Sequence, residues 1–516
     1  MFALADEISI RATAGKITSR RIDQLGALID AANDTNDLEL MQKCIKVIGS
    51  CGELDDKRHG CMLHYFHANA LGWLYVHRRS GDNTRSWIQP DNTAQIYQLR
   101  SAIAHEGFAK HPPEFRARIH SNLGNSFSKT GRIHDALEQW RKALVLDPML
   151  AMAQGNLSGA LLNYGYNLYD LEHKEWISVE GRSQLREAVA IGTHGATFFE
   201  AAERFRKMLE AVEIGLDQYG VERNPDLAWM DEFSLGRSAQ ERRYRRWCLD
   251  NRLFLNPMND AYTQPVAAAD SLSLPTHRAD GAGVSYLAAF NQLKQEYIYA
   301  RWCMFSGQDH GKIHMADREV ILSSNADTAR YSIAIEQVKA GYRGAYSLLD
   351  KVAYFVCDRW DIDANRKEAD FARLWRTKPK KGVETTIRPE FEGSDNIWLH
   401  ALYSLSEDIF NENVRQNASP DAQELHLVRN CLEHRFFKIV WDRIESEETS
   451  MHHDRLSEQM TLDEFQGKAL RVLTMARSAI MYLCLAMHRA EEQRKDDDDT
   501  LSVSFGVSHI PDKLKG

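Results

Sequence analysis

The sequence predicts an all-α protein in two parts, an N-terminal array of repeated helical hairpins and a C-terminal four-helix bundle. Three observations carry this expectation: Leu, Ala, Glu, Arg and Gln alternate at helical spacing, proline is scarce at 12 residues, and no run of β-branched residues competes. The 516 residues, 43% hydrophobic and 27% charged, are too many for one core, so two or three domains are expected. The pattern places a helical repeat domain over 1–220, a helical and irregular connecting region over 221–325 and the bundle over 326–495. Residues 496–516 open on a block of like charge, Asp496 to Asp499, and read as a disordered tail.

Composition excludes several classes of function. No stretch of about 18 apolar residues is free of charge, and the first twenty residues lack the order of a secretory signal, so a cytoplasmic protein with no membrane partner is expected. The eight cysteines are spread without disulfide-like spacing, which fits a reducing compartment. A formal net charge of −9 would repel a polyanion, so any contact with RNA must be local.

The repeats are clearest over 117–150. There Leu123, Gly124, Phe127, Gly131, Ala136, Trp140, Ala143 and Pro148 recur at the spacings of a tetratricopeptide (TPR) repeat, which this segment resembles. Small residues at Gly124, Ala136 and Ala143 let two antiparallel helices approach, large apolar ones fill the seam, and Pro148 stops the second helix. His120 departs from the pattern, standing where such repeats carry a bulky apolar residue. Leu157, Ser158, Leu161 and Gly165 repeat it one period of about 34 residues later, with a second helix that fades after Asp170. Upstream, Ala102 and Ala109 echo Ala136 and Ala143, with a displaced first helix over 64–76. One hairpin cannot bury its own apolar face, so helical segments over 22–48 are expected to stack on it. The resemblance implies a protein or peptide partner for the repeats.

Further helices are predicted over 198–218 and 238–255, followed by a long irregular connection over 256–283 that gathers Pro257, Pro265, Pro275, Gly281 and Gly283. Arg242, Arg243, Arg245 and Arg246, interleaved with Tyr244 and Trp247, form a candidate RNA patch, set against the plainer reading of a solvated helix face. Helices over 331–360, 396–414, 421–445 and 462–494 then make the four-helix bundle, with Pro420 at the start of the third.

Metal chemistry finds little support. Cys51, Cys61, His64 and His67 lack a close cysteine pair, and His310 with His314 lacks a third ligand, so no metal or other cofactor is expected. No glycine-rich phosphate loop is present in the sequence.

The informative segment is the third bundle helix. Leu425, Val428, Leu432, Phe436 and Ile439 fall on a core face, while Asn430, His434, Phe437 and Trp441 form a second line away from it. Two large aromatics on that side predict a partner surface, most simply a homodimer through Phe437 and Trp441.

Arg429, the polar Asn430 beside it and His434 five positions on, in the third helix of a bundle behind TPR-like repeats, resemble the HEPN superfamily; the likeness covers 331–494. It implies metal-independent RNA cleavage, in which the 2′-OH attacks the adjacent phosphodiester and leaves a 2′,3′-cyclic phosphate and a 5′-OH end. The residue types suit that role. Imidazole exchanges protons near neutral pH, so His434 can take the 2′-OH proton or protonate the leaving oxygen. Arg429 can hold two phosphate oxygens as charge builds, and Asn430 can orient the imidazole or bind phosphate. Glu433, four residues after Arg429, can aim the guanidinium, as can Asp350, Glu407 or Asp408 from neighbouring helices. The resemblance further implies a toxin or antiviral-defence role. The alternative is a non-catalytic scaffold whose bundle dimerises or binds RNA without cutting it.

Overall fold

The computed structural model describes the chain except residues 14–17, 52–55, 80–85, 195–198, 219, 221, 223–224, 276–282, 309–312, 324–328, 363–368, 378–384, 412–416, 441–455, 494–509, 511, 513–514 and 516. Among the described residues it contains seventeen α-helices and three short strands, so the all-α expectation holds apart from one small sheet. The helices begin with α1 (Phe2–Thr13), α2 (Ser19–Asp34), α3 (Leu38–Ser50), α4 (Lys57–Arg78), α5 (Pro90–Ala104), α6 (Pro113–Lys129), α7 (Ile133–Leu146), α8 (Ala151–Asn167), α9 (Leu171–His194) and α10 (Phe199–Gln218). They continue with α11 (Ala239–Asp250), α12 (Met258–Ala261) and α13 (Gly283–Ser306); β1 (Ala329–Arg330) precedes α14 (Ile333–Arg359). The last elements are α15 (Ile397–Ser406), α16 (Ala422–His434), β2 (Phe436–Val440), β3 (Ser457–Thr461) and α17 (Leu462–Gln493).

The chain forms two compact units, one of residues 1–227 with 375–426, the other of 228–374 with 427–516. In the first, α4 pairs with α5, α6 with α7 and α8 with α9, and each hairpin packs on the next. Gly124 permits this close packing, because a Cβ there would lie 2.7 Å from the Trp140 indole nitrogen. Ala136 and Ala143 are fully buried in the same seam. His120 is buried as well, and its ring nitrogen pairs with Gln139 of α7 at 2.8 Å, which explains how the seam tolerates an imidazole. The helix that fades in sequence after Asp170 is the long α9, and α1 to α3 close the other end with their own apolar cluster.

The first unit also contains α15, which the sequence assigned to the C-terminal bundle. Its residues Trp398 to Ser406 are all buried, so the helix is apolar all round rather than amphipathic. Gly131, in the α6–α7 turn at φ 80°, admits it; a Cβ there would sit 2.7 Å from the Ile397 carbonyl oxygen. At the end of α15, Asp408 accepts from Arg100 at 2.6 and 2.8 Å and from Arg132 at 2.8 Å. Arg132 and Asp408 are both fully buried.

In the second unit α13, α14 and α17 pack on one another. By length and composition α17 is apolar enough to cross a membrane, but 83% of that window is buried, as expected for a core helix. The connection after α11 is irregular in backbone, yet Leu253, Phe254, Leu255, Met258, Tyr262 and Leu272 are buried. Two arginines hold it there. Arg301 of α13 grips Asp270 at 2.8 and 2.7 Å and the Leu253 carbonyl at 2.8 Å. Arg477 of α17 donates to Asp260 at 2.8 Å and to the Phe254 carbonyl at 2.7 Å.

The helix predicted over 421–445 ends at His434. Phe436–Val440 is instead the middle strand of the sheet, antiparallel to β1 (Arg330 opposite Ile439) and parallel to β3 (Ile439 opposite Met460). A run of aromatic and β-branched residues fits a half-buried strand better than a helix, and a short apolar run satisfies both periods.

Removing one partner of a buried ion pair leaves an uncompensated charge, at a cost of about 3–5 kcal/mol. Asp408→Ala takes from Arg100 and Arg132 the carboxylate they share, leaving Arg132 to Asp135 and Arg100 to the Ala418 carbonyl, and is expected to lose stability towards the lower end of that range in denaturant unfolding. Amide exchange across 397–406 should rise with it. A loss below about 1 kcal/mol, the size of an exposed pair, would contradict the buried network.

Candidate active site on α16

The site is built on the second half of α16. Leu425, Val428 and Cys431 are buried on one face, which leaves Arg429 and Asn430 half-buried on the flank and Glu433 and His434 exposed. The Arg429 guanidinium donates to Asn430 Oδ1 at 3.1 Å, so the two motif residues orient each other. The helix ends at His434, after a last backbone bond from Arg435 to the Cys431 carbonyl at 3.0 Å. The imidazole stands at the open end of the helix.

The charge of Arg429 reaches both Asp350 and Tyr346 of α14, as the smallest influence on either group. Burial pushes the Asp350 carboxyl up to about 6, and Asp370 repels its charge further; the N–H of Phe371, at 3.1 Å, and Arg429 pull the other way. Burial likewise pushes the Tyr346 hydroxyl up. The nearby Asp370 accepts from the N–H groups of Ala372 and Arg373 at 2.9 and 3.0 Å. Sequence reasoning missed Asp370, which lies in a stretch without helical period. Its only local signal is the turn it nucleates.

The other supporting carboxylates are placed differently. Glu433 is exposed and forms no ion pair with Arg429 among the described residues. Glu407 accepts from Thr93 and Tyr403, both at 3.2 Å; burial pushes it up to about 7, against the pull of Arg376 and those hydrogen bonds. Burial pushes Asp408 up too, but the guanidinium charges of Arg100 and Arg132 outweigh it and hold its carboxyl well below the usual range. Both groups are committed to partners within the first unit.

Phe437 does not face outward as expected. It is only 7% exposed and its ring packs 5.2 Å from that of Phe465 in α17, because a strand turns it inward where a helix would have turned it out. Trp441 lies outside the described residues, as does His310. Cys61 donates to the Ala102 carbonyl and His64 pairs with Gln98 at 2.7 Å.

The arginine patch on α11 is divided. Arg242 donates to the carbonyls of Gly236 and Arg237, Arg245 to that of Ala268 and Arg246 to that of Thr263. Arg243 instead lines a cleft of about 1160 Å³ with Trp247, Trp302, Phe305, His314 and Tyr331. Trp302 and Tyr331 come from distant parts of the sequence, so no local pattern shows this grouping.

Asp350 gives a pH dependence of known sign. Its folded-state pKa of about 6 lies above the ordinary carboxylate value, so its contribution to stability is full below about pH 4 and is lost as pH rises to 6. Asp350→Asn keeps an acceptor for Phe371 and does not titrate. The stability of wild type relative to this variant should therefore fall between about pH 4 and 6 and level off above. A difference that stays flat with pH, or rises, would contradict the burial of Asp350.

Residues 278–490 match the family model described as LA2681-like HEPN. No curated protein and no solved structure matches the chain. The matched stretch contains α14, α16, most of α17 and the whole Arg429-to-His434 segment. The match supports an HEPN domain at the C-terminal end of the chain.

Proposed function

We propose that the chain is an endoribonuclease that cuts without a metal ion, with Arg429, Asn430 and His434 as its catalytic residues. The observation that carries this is their arrangement on one helix end: a half-buried arginine hydrogen-bonded to Asn430, and a histidine left open to solvent within two turns of it. That is the pairing of proton-transfer group and anion stabiliser that phosphodiester transesterification needs.

In the reaction the 2′-oxygen attacks phosphorus as its proton passes to an imidazole. The phosphorus–5′-oxygen bond breaks, and the leaving oxygen takes a proton from an imidazolium. Arg429 holds the non-bridging oxygens while their charge grows, Asn430 adds a donor to the phosphate, and Asp350 is a positioning residue for the guanidinium.

One His434 serves one of the two proton transfers at a time, and a second copy of the chain would supply the other. Leu427 and Phe436, exposed by 37% and 66%, flank the helix face that carries Asn430 and His434, and they replace Phe437 as the apolar part of a homodimer surface. The cleft beside Arg243 offers RNA a cation among stacking aromatics. The stacked hairpins of the first unit fit the tetratricopeptide likeness and suit reception of a partner or trigger. A cytoplasmic toxin or antiviral-defence effector is the role that joins such a receiver to an RNA cutter.

The test uses purified full-length chain and RNA in EDTA. Wild type should produce 2′,3′-cyclic phosphate and 5′-OH ends, and Arg429→Ala and His434→Ala should each reduce the rate at least about 100-fold. Equal cutting by all three overturns the assignment. No cutting by wild type, with assembly still sensitive to Phe436→Glu, supports instead a scaffold that dimerises or binds RNA.

A further inference from the structure

Where the chain leaves α16 for the sheet, one edge of β2 runs out of strand. β3 pairs along its whole length, from Phe436 opposite Ser457 to Val440 opposite Thr461, but β1 is only Ala329–Arg330 and its pairing stops at Ile439. After Arg330 the chain turns into α14, with Ser332 as its N-cap. Among the described residues, the end of β2 nearest His434 therefore has a strand on one side only.

A side chain takes the place of the missing strand. Lys339, two turns into α14, donates from its ammonium to the Phe437 carbonyl at 3.0 Å. The side chain is only 14% exposed, and its other partner is Glu336 on the same helix, at 2.8 Å. A bond from a charged donor is roughly twice as strong as one between neutral groups, and this one meets a carbonyl that β1 does not reach. Phe437 is also buried, with its ring against Phe465 of α17. The residue three after His434 is thus held through its carbonyl by α14 and through its ring by α17.

The imidazole depends on that grip. The last backbone bond of the helix runs from Arg435 to the Cys431 carbonyl, and Arg435 and Phe436, both exposed, are all that separates His434 from the anchored Phe437. The last turn of a helix frays unless something fixes its exit. Fraying here would carry His434 with it and leave Arg429 and Asn430, a turn or more earlier and bonded to each other, in place.

We propose that Lys339 is a positioning residue for His434: by holding the Phe437 carbonyl it fixes where the chain leaves α16 and so where the imidazole stands. It touches no reacting atom. The consequence for catalysis rests on the ribonuclease reading, whereas the anchoring of the junction at 435–437 is independent of it.

The test compares full-length wild type with Lys339→Met, which keeps the stem and loses the donor, Lys339→Arg, which restores a charged donor, and Glu336→Gln, which loses the ion pair alone. Amide exchange across 435–440 should quicken at least about tenfold in Lys339→Met, as for the loss of a hydrogen bond from a charged group, and the His434 ring resonance, assigned by its absence in His434→Ala, should move. Lys339→Arg should restore both, and Glu336→Gln should change neither. On RNA, Lys339→Met should lower kcat by about 10- to 100-fold with KM within about twofold of wild type, because a misplaced proton-transfer group slows the chemistry while Arg429 and Asn430 still hold phosphate. Added to His434→Ala, it should cost nothing further. If Lys339→Met does not fold, Lys339→Gln, whose amide is one atom short of the lysine's reach, takes its place with the same expectations. Unchanged exchange with an unmoved resonance, a rise in KM alone, or an equal loss in the His434→Ala background would each overturn the proposal. A wild type that cuts no RNA overturns the ribonuclease reading instead, and exchange and the His434 resonance still decide whether Lys339 anchors the junction.

Discussion

The geometry of the candidate site depends on where α16 must stop. Phe436–Val440 is the central strand of the sheet, paired on one edge with β1 and on the other with β3. The backbone must therefore leave helical geometry within two residues of His434. A strand in that place commits Phe437, Ile439 and Val440 to the interior. It leaves His434 at an open helix end while Arg429, more than a turn earlier, stays half-buried. Continuing the helix would cost the sheet its middle strand and both sets of ladder bonds.

Buried charge holds the irregular parts in register. Each compact unit carries arginines that reach segments no regular packing would hold: Arg100 and Arg132 for the end of α15, Arg301 and Arg477 for the stretch around Asp260 and Asp270. Such pairs add little net stability over apolar packing, but they tolerate few alternative partners once desolvated. They fit segments whose backbone has no helical period and whose placement must come from side chains.

Much of the fold was legible in the sequence because helical periodicity is a local signal. The α6–α7 hairpin followed from Gly124, Ala136 and Trp140, and the start of α16 from the turn at Pro420. The helices that carry Arg429 and Asp350 were legible too, since both have clear core faces. The strand at 436–440 was not, because Phe436, Phe437, Ile439 and Val440 satisfy a helical stripe and an alternating strand, and only partners distant in sequence decide between them. The place of α15 was equally hidden. An apolar helix carries no sign of which core it enters, and the polar residues that settle the matter, Arg100 and Arg132, lie some three hundred residues upstream of Asp408.

In the proposed reaction an imidazole at the end of α16 lets a ribose 2′-oxygen attack the neighbouring phosphorus and displace the 5′-oxygen. The most direct measurement is cleavage of an RNA that carries a single 2′-deoxynucleotide on the 5′ side of a mapped cut, in EDTA. This one cut should disappear while the same bond in all-ribose RNA is still broken. Continued cleavage at the deoxy position would contradict it.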